Sequence, residues 1–239
     1  MLYIIGISIS FFLSLLLLNK KNKTNADKVL AIWLLVIGLH LILYYLSIVG
    51  KTFQYPILLG LSFPFPLLHG PFLFLYCGFL TNQIDFDVKW KIFFHFIPAL
   101  GTIVYLLFTY YFLSEHLKIE IFKQDGLGFE NFMVANNILV NTSGLFYSGW
   151  SYFLILKHKR NLLNQFSYTE KINLNWLKYL IIGVAIIWCL VVFGTEEQVF
   201  IAATLFVIFI VFFGINQVGI FNNVLKNHNG TNHISGVCE

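Results

Sequence analysis

The stretch ILLGLSFPFPLLHGPFLFLYCGFL, residues 57–80, runs for 24 residues without an Asp, Glu, Lys or Arg. That is long enough to cross the hydrocarbon core of a bilayer as a tilted helix. It also holds three of the chain's five prolines, Pro64, Pro66 and Pro71, beside His69 and Gly70. Each proline removes a backbone donor and crowds the preceding turn. In lipid the freed carbonyls need partners from neighbouring helices, hydroxyls or water. The stretch therefore belongs in the middle of a helical bundle, with its broken part and His69 facing protein.

Composition points the same way. Of 239 residues, 58% are hydrophobic and only 11% charged, against about 25% charged in an ordinary soluble domain. The 27 Phe fall in repeated apolar runs of membrane length. The expectation is an all-α membrane protein, a seven-transmembrane helical bundle with spans at 2–18, 29–49, 57–80, 92–113, 132–156, 174–193 and 199–215. A short tail, 222–239, follows. No basic region precedes the first span and no small-residue cleavage site follows it, so it is expected to be retained. In the loop 114–131 the alternation over 117–122 fits a short strand or a helix. Cys77 and Cys189 lie inside apolar runs and Cys238 near the end, which makes no disulfide framework.

Lys and Arg set the orientation. With seven spans, twelve of the fifteen fall on one side, and only Lys51, Lys118 and Lys123 on the other. This bias puts the N-terminus outside and the C-terminus in the cytoplasm, as a multi-pass protein of the cytoplasmic (inner) membrane. The acidic residues divide about evenly, leaving the outer face net negative. The basic balance is thus a topology signal that anchors the chain to the lipid bilayer, and direct nucleic acid binding by this chain is not expected.

Few residues carry chemistry. His40 and His69 fall near mid-depth in two antiparallel spans, where an ionisable group is a functional candidate by default. Two imidazoles underfill a zinc site, and His95 is too shallow to be a third ligand, so neither a metal nor any other cofactor is expected. In the fifth span Asn137, Asn141, Gly144 and Ser148 recur at helical spacing. With Tyr44, Tyr45 and the turn Glu196–Glu197–Gln198 they outline a polar cup opening outward. The competing reading is interhelical hydrogen bonding and close packing, which such residues commonly serve in membranes. Tyr44, Tyr45, His69, Asn137, Asn141, Glu196 and Glu197 are the candidate ligand-binding residues. Trp90, His95 and Trp150 are assigned to the opposite interface or to packing near it.

The one lysine inside a span is Lys178, at the cytoplasmic edge of the sixth; with none at mid-depth, a retinal Schiff base is not expected. No Ser/His/Asp set, HExxH, paired carboxylates within a span or phosphate-binding glycine loop is present, so an enzyme is not expected. Only one span is strongly broken, whereas transporters usually show repeats or paired broken helices.

Four segments together resemble the membrane sensor region found ahead of AraC-type helix-turn-helix domains in bacterial regulators. They are GLSFPFPLLHGPFLFLY (60–76), FHFIPAL (94–100), SYTEKINLNWLKYLIIG (167–183) and FFGINQVGIF (212–221). The resemblance covers roughly 1–222 and implies seven helices followed by a cytoplasmic linker and a DNA-binding domain. It implies no catalytic residue. After Phe221 only NNVLKNHNGTNHISGVCE follows, which is too short to bury a core or present a recognition helix. The expected function is the sensor or receptor half of a transcription-control system, answering a small-molecule or membrane-derived signal through a separate DNA-binding or signalling protein. A small transporter or membrane-embedded binding protein is the alternative.

Overall fold

Long apolar runs between short polar loops become helices because a backbone cut off from water must satisfy its own donors and acceptors. The computed structural model describes residues 2–84, 89–165 and 175–212, and every regular element among the described residues is a helix. Helices α1 (Leu2–Asn19) and α2 (Asn25–Ile48) pack along each other as a hairpin. Both are long and apolar enough to cross a bilayer. Thr24 starts α2 with a capping box: its hydroxyl accepts from the Asp27 amide at 3.1 Å, and the Asp27 carboxylate accepts from the Thr24 amide at 2.7 Å. Burial pushes the Asp27 carboxyl up, but the hydrogen bonds from Lys20 and Thr24 outweigh it and hold the group below the usual carboxylate range.

The stretch 57–80 is not one helix, contrary to the sequence expectation. After the short helix α3 (Lys51–Gln54), a 3-10 turn at Pro56–Leu58 and further turns carry the chain to α4 (Phe65–Leu80). The prolines decide where α4 begins. Pro64 is its N-cap and Pro66 lies in its first turn, where a missing N–H costs nothing. Only Pro71 lies inside the helix. The 16 residues of α4 are about 24 Å long at ~1.5 Å per residue. Its central position is as expected: eleven of its residues are buried, and it packs against both α2 and α8 (Glu130–Gln165).

The stretch 92–113 is also interrupted. Between α5 (Lys89–Phe94) and α6 (Ile97–Thr109) the chain turns at His95–Phe96, and Pro98 sits in the first turn of α6. The alternating segment in the next loop is helical, α7 (Glu115–Lys123), with Ser114 accepting from the Leu117 amide as its cap. Helix α8 extends nine residues beyond the expected end of the fifth span at 156. Then come α9 (Asn175–Phe193) and a last helix, α10, described over residues 196–212. The expected tail 222–239, the end of the seventh span at 213–215, the loop residues 166–174 and the side chain of Trp90 lie outside the described residues.

Side-chain size is distributed inside out in α1. Gly6, Ser10 and Ser14, one turn apart, are its buried residues, while Phe12, Leu15 and Leu16 are more than half exposed. The Ser14 hydroxyl donates to the Ala31 carbonyl of α2 at 2.8 Å, and Gly6 lies against Thr204 of α10. Elsewhere the helices also meet at glycine. A Cβ on Gly70 of α4 would lie 2.7 Å from the Tyr147 ring, and one on Gly144 of α8 would run into the Trp188 indole of α9. Large apolar side chains such as Phe108, Phe153, Ile186 and Phe193 instead cover the perimeter.

Candidate functional site

At one end of the bundle the elements do not close. The C-terminal parts of α2 and α9, the N-terminal parts of α4, α8 and α10, and the α6–α7 region surround a cleft of about 730 Å³. Tyr44, Ser47, Phe63, Tyr110, Asp125, Asn136, Asn137, Thr195, Glu196 and Phe200 are on its wall, and His40 is at its inner boundary. A smaller apolar chamber of about 80 Å³ lies against the other side of the same histidine, lined among others by Trp33, His69 and Trp188.

The two histidines are brought together. The Trp33 indole N–H donates to His69 Nδ1 at 3.2 Å, and His69 Nε2 lies 3.2 Å from His40 Nδ1. An indole N–H only donates, so His69 Nδ1 carries no proton and the ring is neutral. Its proton is then on Nε2 and is donated to His40 Nδ1. That leaves the His40 proton on Nε2, and no hydrogen bond to that atom is present among the described residues. His40 is held by ring contacts: it stacks on Phe65 and His69 and meets the edge of Phe200 at 4.9 Å between centroids. The chain Trp33–His69–His40 thus crosses from α2 to α4 and back. Because His69 Nε2 already bears the proton, the nitrogen pair offers no vacant lone pairs facing each other for a metal. No group of three or more His, Cys, Asp or Glu suited to a metal occurs among the described residues.

The expected cup is assembled in part. Tyr44, Asn137 and Glu196 share the wall of the cleft. Tyr44 stacks face to face on Phe200 at 3.6 Å and meets Tyr3 edge-on, which ties α2 to α10 and α1. Asn141 is one turn below Asn137 and donates to it at 2.9 Å; it is not on the wall. Tyr45 is half-buried away from the cleft, and Glu197 is exposed beside its rim. His69 is set behind His40, in the smaller chamber. Glu196 and Glu197 occupy the first turn of α10, where a helix N-terminus favours carboxylates. That helix starts with a second capping box: the Thr195 hydroxyl accepts from the Gln198 amide at 3.3 Å, and Gln198 Oε1 accepts from the Thr195 amide at 3.0 Å.

His95 is remote from the pair. Its Nδ1 is 2.9 Å from the Tyr147 hydroxyl, and its ring packs on Phe74 and Trp150. Sequence reasoning missed Trp33, Asp125 and Asn136. Trp33 precedes His40 by two helical turns and so shares its face, a signal that was present. Asn136 is the buried amide of α8, 8% exposed, and it accepts from the Thr102 hydroxyl at 3.4 Å. Asp125 is placed by a tight turn at left-handed φ (51°), followed by Gly126 at 89°.

No family model, curated protein or solved structure matches this chain.

Proposed function

We propose that this chain is a seven-helix membrane sensor, N-terminus outside and C-terminus cytoplasmic, in a bacterial transcription-control system. The cleft at the outer end would be its receptor site. The observation that carries the reading is the cleft itself, walled by seven helices and backed by a hydrogen-bonded Trp–His–His chain. The inverted burial of α1 supports its setting. Small and hydroxylated residues facing protein, with Phe and Leu facing out, suit a helix solvated by lipid tails, and apolar exposure on this scale is rare on soluble monomers. The four segments that resemble the sensor region of AraC-type regulators supply the link to transcription, through a separate DNA-binding or signalling partner.

Signalling requires a ligand that binds two packings of the bundle with different affinity, not tight binding alone. The turns at 56–64 and the break at His95–Phe96 are the segments able to absorb such a shift without breaking helical hydrogen bonds. That second break favours transport as the second reading, because paired interruptions are a transporter feature. Deleting the gene and comparing transcripts, while assaying solute uptake into vesicles containing the protein, separates the two. Altered transcripts with no uptake are expected; unchanged transcripts with uptake would replace the sensor by a transporter. Reporter fusions test the frame: a cytoplasmic reporter in loop 157–173 should be active and one in loop 114–131 silent, and the reverse pattern would put the cleft on the wrong side.

A further inference from the structure

Resting on that receptor reading, we infer that the cleft takes an organic cation: a protonated or quaternary amine, or another onium group, carried on an apolar body. Among the described residues two carboxylates, Asp125 and Glu196, are on the wall, and no Lys or Arg is. The three lysines at this end are directed elsewhere. Lys51 donates to Gln54, Lys118 is buried with its ammonium on the Tyr111 carbonyl, and Lys123 is exposed and off the wall. The N-termini of α4, α8 and α10 around the cleft are opposed by the C-termini of α2 and α9, which leaves the two carboxylates to make the rim negative. An anion would meet two carboxylates with no cation to balance them.

The rest of the wall suits the body of such a ligand. Tyr44, Phe129 and Phe132 present aromatic rings, whose faces attract cations, most strongly where water is excluded. The volume of about 730 Å³ is within the range of small-molecule sites. One end of the Asn136 amide is unpartnered: the side chain is buried and makes a single hydrogen bond, to Thr102. Asn136 is on the cleft wall, so its free amide N–H can donate to a ligand or water there. Charge at the mouth, aromatic walls and a spare amide inside together describe an amphiphilic cation, not a sugar or an acid.

The test uses the full chain in phosphatidylcholine nanodiscs and three probes of similar shape: tetraphenylphosphonium, tetraphenylborate and neutral triphenylphosphine oxide. Binding is measured by equilibrium dialysis, with empty nanodiscs subtracted. Tetraphenylphosphonium should bind saturably, one per chain, and tetraphenylborate should not. Asp125→Asn with Glu196→Gln should weaken the cation at least about tenfold, and raising salt should weaken it in the parent far more than in the variant. The variant should fold normally. Asn tolerates the left-handed φ of position 125, and the cap of α10 uses Thr195 and Gln198 rather than Glu196. Lys51→Gln, off the wall, should leave binding unchanged. Equal binding of cation and anion, or an unchanged affinity in the double variant, overturns the inference. If the neutral oxide binds as well as the cation, the charge class falls while the receptor reading stands. If no probe binds but gene deletion still alters transcripts, the inference again falls alone.

Discussion

Replacing Trp33 by Phe tests the hydrogen-bonded chain behind the cleft. Trp33 is 1% exposed and its only polar atom donates to His69 Nδ1 at 3.2 Å. Phenylalanine keeps the apolar body but removes the donor. The lost interhelical bond is worth about 0.6–1.7 kcal/mol by the range measured in membrane bundles. The smaller ring leaves a void of roughly 35–40 Å³, or about 1 kcal/mol at ~24 cal/mol per Å³. The total, about 1.5–3 kcal/mol, should lower the melting midpoint by roughly 3–12 °C. Thermal exposure of the Cys77 thiol, fully buried in the fold, reports the transition in a Cys189→Ser, Cys238→Ser background. The void confounds the single variant, so the deciding measurement is a double-mutant cycle with His69→Phe. Removing both partners leaves no orphaned donor–acceptor pair between them, so the double variant should lose less than the two singles summed, by at least about 0.6 kcal/mol. Additivity within about 0.3 kcal/mol would mean that the bond does not form, and the tautomers derived from it would be wrong.

Gly144→Leu should destabilise by more than about 2 kcal/mol through overpacking, because its side chain would enter the Trp188 ring. Adding Trp188→Ala should restore part of that loss, and a single variant that melts like the parent would refute the contact. Purified protein should show no haem absorbance and no stoichiometric metal; tight metal binding abolished by His40→Ala or His69→Ala would overturn the proton assignment. Asp27 has its folded pKa held down, so its contribution is present above the ordinary carboxylate pKa of about 4 and is lost as pH falls through the lower folded value. Asp27→Asn should flatten the acid limb of the stability curve, and an unchanged limb would count against the capping box as its source.

Hydropathy located most of the helices because a run of apolar residues is the same signal wherever the chain is interrupted inside it. That is also why it failed at 57–64 and at His95–Phe96. Pro64, Pro66 and Pro98 mark helix starts there, and a window average over apolar residues cannot see a start. In 117–122 the alternation was ambiguous, but Ser114 before Glu115 and Lys123 in the last turn were helix signals that outrank it. The polar face of α8 was placed correctly in its second half and one position off in its first. Gly144 and Ser148 of the expected row are buried, but towards the cleft end the buried face runs through Val140 and Asn136 and not through Asn141 and Asn137. On a helix that is apolar on its outward faces as well, periodicity does not distinguish a wall of a cleft from a packed seam. Glu196 and Asp125 meet only through tertiary structure, and no spacing in the chain announces that.

Helix α8 is 36 residues long, about 54 Å at ~1.5 Å per residue, nearly twice the ~30 Å hydrocarbon thickness of a bilayer. Its close approach to α9, at Gly144 against Trp188, is not at its middle. About 21 Å of rod lies on the cleft side of that crossing and about 32 Å on the side that carries Lys157, Lys159 and Arg160. A stiff rod held at such a fulcrum moves its long arm about one and a half times as far as its short one. A shift of about 1 Å where Asn136 and Asn137 border the cleft would swing the basic end by more than that. With Gly144 as the pivot, relocating it by a turn would change the ratio without touching either end.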